Sequence, residues 1–387
     1  MERGELRVTP VLLEPGADTT GAANVAREAN VAREYLTAIA AAGVPTMISN
    51  VETRLLLLQH GDRALPVTVD DGQIGGSYVC RPHSAYVLYA RQELGIVDIG
   101  AARLPASALI ALFDRILRAA QINRVVHLDN WMLSTNLHGD WHGDGLPQMR
   151  QLLIERFPRH LLAIRSLDEW SSPRLLQAVR DDGWTLIPSR QVWVVDDLGR
   201  DWLPRSEHGN DRRALRRSGL SVETLTHIGD ADARRIADLY YLLYVGRYSA
   251  LNPVFTPAYI QMTHRTHMIT YRVARNAGGE IVAVAGMFER AGIMTPPVVG
   301  YDTVRPRSEA LYRIACFMFM EAACDAGLRL HGSAGAAHFK KLRGATGVIE
   351  YSAFYLRHLS PPRRFVINAF AQILNRFLPP LMKKQGL

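Results

Sequence analysis

The stretch Leu328-Arg-Leu-His331-Gly-Ser333-Ala-Gly335-Ala-Ala-His338-Phe339-Lys340-Lys341-Leu-Arg343-Gly344 decides how this chain is interpreted. A short alternating strand runs into a turn of small residues, and the turn leads into a basic helix that ends at Gly344. Small residues at such a junction let a ligand approach the backbone closely, and the start of the helix favours negative charge. One turn later Lys340 offers a compact cation suited to a phosphate or to a developing oxyanion. We expect the chemistry of the chain to lie here.

The flanking sequence extends this centre into a unit of strands and helices. Residues 271–276 and 280–289 are predicted to form a hairpin through Asn-Ala-Gly-Gly. Residues 296–302 are predicted to form a strand that leads through a polar loop into a long helix ending at Ala326, and residues 348–355 read as a further strand. The pattern is typical of an α/β (α+β) unit with a mixed central sheet flanked by helices.

An earlier part of the chain repeats the order of these elements. A predicted strand at 159–167, a helix at 172–181, Gly183 and a strand at 184–197 follow one another as in the later unit. In this alignment Gln177 takes the place of Lys340, as expected for a duplicated domain with one inactive copy.

A chain of 387 residues also favours two domains. The best boundary is the Gly-, Asp- and Pro-containing link at 198–209. We therefore predict an N-terminal domain at 1–200, a catalytic domain at 205–358 and a basic tail at 361–387.

The N-terminal sequence predicts a β-α-β opening, with strands at 6–13 and from 46 and a helix at 22–42. Residues 16–21 do not match GxGxxG and no P-loop lysine follows, so ordinary packing is favoured over a nucleotide site. A meander of strands is predicted at the three segments 54–60, 65–69 and 77–90.

The loop at 136–145 holds His138 and His142, a spacing that could ligate zinc on a helix. The glycines between them favour a polar loop, and no metal site is predicted.

Composition limits the partners and the compartment. The formal net charge of +8 suits a phosphorylated cofactor, nucleic acid or an acidic membrane, although the Arg-rich composition is a competing cause. The three cysteines form no CxxC pair and the N-terminus has no apolar signal core, so we expect a cytoplasmic protein. The tail at 361–387 is amphipathic with basic ends, which allows it to pack on the body or to make a peripheral contact with an anionic membrane.

Taken together, residues 205–358 resemble the Fem-type branch of the GNAT acyltransferase superfamily. The resemblance is carried by the basic entry helix at 212–219, by the order of strands and helices, and by Phe339-Lys340-x-x-x-Gly344. This last segment is similar to the Phe-Lys segment that places a lysine near the reacting carbonyl in Fem-type transferases. The resemblance is weaker over 45–200 and does not extend to the first 45 residues.

The resemblance implies tandem GNAT folds and an N-acyltransferase that moves an activated acyl group from acyl-CoA or acyl carrier protein to an amine-bearing small molecule. Two alternatives stay open: an aminoacyl-tRNA-dependent aminoacyl transferase and a non-catalytic binding protein that has kept the fold. The junction at 301–309 departs from the family because it lacks the glycines that free backbone donors for coenzyme A, and Pro306 removes one donor. Arg305, Arg307 and Arg343 are the candidate phosphate contacts.

Acyl transfer to an amine needs a polarised carbonyl and a route for the lost proton. We expect Lys340, with backbone N–H groups around Gly335, to stabilise the oxyanion. Asp302 and Glu350 are candidates for the base or the amine anchor, with helix capping and pairing with a cross-strand arginine as their structural alternatives. His331 is a further candidate base, and its alternative is a packed strand histidine. The resemblance implies that the substrate pocket is lined by Tyr248, Asn252, Tyr301, Tyr312, Ser333, Gly335, Phe339 and Tyr351.

Overall fold

A computed structural model describes residues 9–16, 27–96 and 103–385. The predicted turn at 16–21 and the start of the first predicted helix fall largely outside these residues. The strands are β1 (Val11–Leu13), β2 (Arg54–His60), β3 (Arg63–Asp71), β4 (Arg124–Leu128), β5 (Leu161–Leu167), β6 (Thr185–Val195), β7 (Ser221–Thr224), β8 (Thr270–Arg275), β9 (Ile281–Arg290), β10 (Ile293–Tyr301), β11 (Arg329–His331) and β12 (Thr346–Tyr355).

The α-helices surround one sheet. They are α1 (Arg27–Ala42), α2 (Val44–Met47), α3 (Tyr89–Ile96), α4 (Arg103–Ala119), α5 (Leu146–Arg156), α6 (Pro173–Asp181), α7 (Leu198–Asp201), α8 (Ser206–Ser218), α9 (Asp230–Tyr240), α10 (Pro257–Arg265), α11 (Leu311–Asp325), α12 (Ala337–Leu342) and α13 (Pro361–Gln385). A π-helical turn at Ser84–Leu88 leads directly into α3, and another at Tyr241–Gly246 extends α9.

The two halves of the chain exchange their last strands within this sheet. The strand order is β1-β2-β3-β4-β5-β12-β6-β11-β10-β9-β8-β7. Strand β12, from the second half, lies between β5 and β6, and β6, from the first half, pairs with β11 and β12. Each half-sheet is therefore completed by a strand of the other half.

The same series of pairings occurs in both halves. The order β1 to β5 contains three antiparallel pairs followed by one parallel pair, and so does the order β7 to β11. Antiparallel pairing with the exchanged strand follows in each case. The predicted mixed sheet with flanking helices is confirmed. The predicted division at 198–209 stays a prediction, because α7 and α8 occupy that segment while the sheet is continuous across it.

The second half-sheet is covered by an almost wholly apolar helix. Helix α11 buries nine side chains, and its central Phe317 packs against Trp202 at 5.7 Å between ring centroids. Because α11 contacts β9 and β10, its burial fixes the strand that carries the candidate site.

Two predictions for the first half are wrong. Residues 77–90 do not form a strand but a turn followed by the π-helical segment and α3, because the polar side chains in this segment hydrogen-bond locally. Arg81 donates to the Gly75 carbonyl at 2.8 Å, for example. The strand predicted from residue 46 is instead the short helix α2, which has a proline in its first turn. Strands β1 and β2 are antiparallel, so the opening is not the parallel βαβ unit of a nucleotide-binding fold.

Gly300 allows α9 to approach β10. A Cβ atom at this position would lie 2.5 Å from the backbone of Leu239 and 2.6 Å from the backbone of Tyr240.

Gly300→Ala should lower the free energy of unfolding by about 1–3 kcal/mol, because neither helix nor strand can move aside without repacking. Urea unfolding measures this. The matched variant Gly209→Ala, in the open interior of α8, should leave stability unchanged or raise it; equal effects of the two variants would contradict the close approach.

Candidate functional site

The parallel strands β10 and β11 separate soon after they begin. They share only the pairs Ile293 with Arg329 and Met294 with Leu330. Strand β10 then continues to Tyr301, whereas β11 ends at His331 and its chain turns into the loop before α12. A wedge therefore opens between the two strands at the edge where Lys340 lies.

One edge of β10 has no strand partner inside this wedge. The Asp302 N–H donates to the Val282 carbonyl at 3.0 Å, and hydrogen-bonded positions alternate along an antiparallel ladder. The N–H and C=O groups of Val299 and Tyr301 therefore point away from β9. Among the described residues no strand pairs with them on that side. Unpaired edge groups of this kind are a template for another extended chain.

Aromatic side chains line the wedge. The rings of Tyr301 and Tyr312 lie 5.8 Å apart, and those of Tyr312 and Phe339 lie 5.0 Å apart. Arg247 donates to the Tyr301 hydroxyl at 3.0 Å. The structure thus brings together three of the predicted substrate-binding residues. Tyr248 is half exposed, and its ring lies 6.3 Å from that of Tyr244 rather than beside these three rings.

Lys340 holds the loop at the other side of the wedge. Its Nζ donates to the carbonyls of Gly332 at 2.6 Å, Ser333 at 3.2 Å and Ala334 at 2.8 Å. The pKa of Lys340 is lowered to about 7, chiefly by burial; the nearby Cys316 opposes this effect and the charge of Arg190 adds to it. The three N–H donors of the ammonium are all engaged, so the expected oxyanion role would require one of these bonds to be exchanged.

The backbone around Lys340 is strained. Ser333, Ala336 and Ala310 have φ values of 58°, 49° and 55°, a region that residues with a Cβ rarely adopt. The first two lie in the loop that Lys340 holds, together with Gly335 at a φ of 76°. The third precedes α11 across the wedge. Such strain concentrates at functional sites, where the surrounding structure holds it in place.

Glu350 is a counter-ion rather than a free base. It is buried, and Arg190 on the neighbouring strand donates to both of its carboxylate oxygens at 2.8 and 3.0 Å. Ser189 donates a further bond at 3.1 Å. Arg190 also donates to the Ser134 carbonyl at 2.6 Å and to Thr135 at 2.9 Å, which ties the pair to the first half. This arrangement corresponds to the cross-strand alternative.

Asp302 is also engaged. It accepts a hydrogen bond from Arg235 at 2.8 Å and one from the Val304 N–H at 3.1 Å. Burial opposes its ionisation, but the bonds from Arg235 and the backbone outweigh that effect and hold the pKa of Asp302 below its usual value. The carboxylate caps the turn at Val304 rather than a helix, so it has a structural role other than the helix capping considered above, and it is a poor proton acceptor near neutral pH.

His331 faces away from Lys340. Its neighbour Leu330 packs in the cluster around α11, and successive side chains on a strand point to opposite faces. The Nδ1 atom of His331 accepts a hydrogen bond from the Ser333 N–H at 3.2 Å, and Nε2 lies 3.7 Å from Asp168. The histidine therefore supports the loop from the opposite face of the sheet.

The three arginines predicted to contact phosphate have different surroundings. Arg343 is buried and donates two bonds of 2.7 Å to Asp211, which fixes α12 against α8. Arg305 pairs with Glu309 at 2.6 Å, and Arg307 is exposed just before α11. Only the last two lie where a ligand can reach them.

Two further predicted residues lie away from Lys340. Asn252 is buried and donates to the carbonyls of Tyr244 and Ser249 at 3.0 and 3.1 Å, so it shapes its own loop. Tyr351 is half-buried near Glu169, and burial raises its pKa.

His138 of the suspected zinc loop is part of the core. Its ring nitrogens lie 2.8 Å from an Asp129 carboxylate oxygen and 2.8 Å from the Arg165 carbonyl. In the part of the chain that the structure describes, no group of three His, Cys, Asp or Glu side chains is arranged to hold a metal.

Sequence reasoning missed Arg190 and Cys316. Arg190 is remote in sequence from Lys340, and the pairing of β6 with β12 is what brings the two residues near each other. No local sequence pattern could therefore predict the role of Arg190. Cys316 lies one turn after Tyr312 on α11, and burial raises its pKa to about 12. The i, i+4 spacing from Tyr312 is the signal that places Cys316 on the face of α11 towards Lys340.

The chain has distant structural similarity to several known proteins. No protein-family model matches the chain, and no curated protein matches it in sequence. The chain resembles the solved structure of L-PGS from Bacillus licheniformis at 13% identity, with 64% of this chain and 82% of that chain covered and a TM-score of 0.46. It also resembles FemX at 10% identity, with 54% and 75% covered and a TM-score of 0.42. A tandem GNAT protein from the clavulanic acid biosynthesis pathway matches at 11% identity, with 90% and 98% covered and a TM-score of 0.40.

Fem and tandem GNAT structures are thus among those that the chain resembles, in line with the resemblance described from its sequence.

The role assigned to Glu350 can be measured. Glu350→Gln removes the only carboxylate that pairs with Arg190 in the described residues and should lower the free energy of unfolding by about 3 kcal/mol. The matched variant Glu169→Gln removes the exposed partner of Arg180 and should change it by less than about 1 kcal/mol. Urea unfolding of both variants measures the two changes in the free energy of unfolding. An unchanged stability of Glu350→Gln would show that the pair is not structural.

Proposed function

We propose that this protein is a transferase that moves an acyl or aminoacyl group from an activated donor to an amine. The observation that supports this most directly is the unpaired edge of β10 at Val299 and Tyr301, which faces the loop held by Lys340. An extended donor can lie along the edge, and its reactive end then reaches a lysine that ionises near neutral pH.

The chemistry of the edge favours a particular donor. Free N–H and C=O groups on an extended strand bind a ligand that carries amides along an extended chain. A pantetheine arm has this character, so we propose a thioester of coenzyme A or of acyl carrier protein ahead of an aminoacyl-tRNA. The first N–H groups of α11 have no partner within the helix, and Arg307 lies just before them, so the N-terminus of α11 is the proposed contact for phosphate.

Lys340 supplies the route for the proton. The acceptor amine attacks the carbonyl carbon, the thiolate leaves, and the amine gives up one proton. Neutral Lys340 can take that proton, because burial brings its pKa to about 7. A neutral amine keeps two N–H donors, so one of the three carbonyl bonds is released. The bond to Ser333 is the longest, and that carbonyl also accepts from the Trp193 N–H, so its loss costs least.

The test is transfer by the purified full chain to hydroxylamine and simple amines, followed by mass spectrometry with acyl-CoA, acyl carrier protein and charged tRNA as donors. We expect transfer from a thioester, with a rate that rises with pH through about 7 as Lys340 loses its proton. Lys340→Met should lower the rate by about 10²–10⁴-fold and flatten the pH profile. The matched variant Lys341→Met changes the exposed neighbouring lysine and should retain both rate and profile.

The remaining outcomes separate the alternatives. Transfer from charged tRNA alone would replace the thioester donor by an aminoacyl one. An equal rate for Lys340→Met and wild type, at equal thermal midpoints, would exclude the role of Lys340. No transfer from any donor, with partner binding unchanged by Lys340→Met, would favour the non-catalytic binding protein.

A further inference from the structure

Helix α13 packs on the body along one side and exposes further apolar side chains. Ile367, Phe370 and Ala371 are buried against the body of the protein. Other apolar side chains, separated by multiples of four residues along the helix, are exposed: Phe365, Ile373, Phe377 and Leu381. Phe365 is 74% exposed and Phe377 is 64% exposed, although burial of such a side chain is favourable. At 3.6 residues per turn, Phe365 lies on the side of the helix away from Ile367, whereas Phe377, seven residues after Phe370, continues the side on which Phe370 is buried. The body therefore covers only part of the apolar surface of α13 within the described residues.

Helix α4 carries a similar set of exposed apolar side chains. Leu104 is 82% exposed, and Leu109 and Leu112 are about half exposed. The buried side of the same helix holds Leu117. Five large apolar side chains of the two helices are therefore each at least 47% exposed to solvent: Leu104, Leu109, Leu112, Phe365 and Phe377.

The two helices lie on the same side of the sheet. The rings of Phe113 on α4 and Phe370 on α13 meet at 5.0 Å, and both helices contribute to one apolar cluster with β4 and β5. The exposed apolar side chains of α4 and α13 therefore lie on two helices that pack against each other, and we call them together the α4–α13 surface. Its longer edge is α13, about 37 Å for 25 residues.

The charges around this surface are almost all positive. The sequence of α13 contains five basic residues and no acidic one, and Arg364, Arg376 and Lys383 are exposed. Helix α4 adds the exposed Arg103 and Arg115. Its one carboxylate, Asp114, is neutralised by contacts with Arg118, Arg91 and His83.

We propose that the α4–α13 surface binds the face of a lipid bilayer that contains anionic lipids. Exposed phenylalanine and leucine next to basic residues are the composition of helices that lie in the interface plane of a membrane. A second copy of the chain fits less well, because a symmetric contact would place the same basic residues against each other. A nucleic acid would use the cations but not the apolar row. No helix in the described ranges is long and apolar enough to cross a bilayer, so the contact is peripheral.

The test is co-sedimentation of the full chain with vesicles. We expect binding to vesicles of phosphatidylcholine with phosphatidylglycerol, weaker binding to phosphatidylcholine alone, and weakening at high salt. The double variant Phe365→Ser/Phe377→Ser should lower the partition coefficient at least about tenfold, because both rings enter the acyl boundary. Leu203→Ser, at an exposed leucine elsewhere, should bind like wild type.

Charge is tested separately. Arg364→Gln/Arg376→Gln should weaken binding to the anionic vesicles, whereas Arg216→Gln/Arg217→Gln on the exposed side of α8 should not.

The thermal midpoints of all variants should match that of wild type, since the substituted side chains are exposed. Equal vesicle binding by wild type and the double phenylalanine variant would overturn the proposal. So would no binding to any vesicle, and so would a wild-type dimer that the phenylalanine substitutions dissociate. None of these outcomes depends on acyl transfer.

Discussion

The antiparallel pairing of β6 with β12 is the constraint on which the rest of the structure depends. It joins nine positions, from Thr346 opposite Val194 to Phe354 opposite Thr185, and it is the only place where the two half-sheets meet within the described residues. The pairing sets Glu350 opposite Arg190, and β6 also anchors the loop of the candidate site. Trp193 donates to the Ser333 carbonyl at 3.0 Å and accepts from the Gly332 N–H at 2.8 Å. The first half thus builds one wall of a site whose lysine belongs to the second.

The two halves share one scheme of strand pairing but differ in what occupies the space beside the parallel pair. Beside β5, the position that corresponds to the wedge is filled by side chains of the first half. Arg165 donates to the carbonyls of Val79 and Leu133 and to Asn130, all of them buried. Gln177, which the sequence alignment matched with Lys340, is exposed on α6 and donates to Asp181. Packing therefore closes this position in the first half, whereas the second half keeps an open strand edge and a lysine with a lowered pKa.

Sequence patterns predicted those helices and strands whose residues are neighbours in the chain and follow a regular spacing of apolar side chains. The hairpin of β8 and β9 and the strand-turn-helix around Lys340 are both carried by nearby residues. The family resemblance, and not a local pattern, implied that Tyr301, Tyr312 and Phe339 share one pocket, and their rings do lie together. The exchange of β6 and β12 was beyond this reasoning, because pairing between remote strands leaves no periodic mark. The segment at 77–90 misled because alternation of apolar and polar residues also suits a turn and a helix whose polar groups bond locally.

The exchange of strands also governs how the chain is made. Strand β5 is synthesised long before β12, its neighbour in the sheet, so the first half-sheet lacks an edge strand while the second half is translated. At ribosomal speeds of about 5–20 residues per second this interval is on the order of ten seconds. During that time the apolar β5 presents an unpaired edge to other nascent chains. Neither half can reach its native fold before the other, so the two mature as one cooperative unit once β12 has been made.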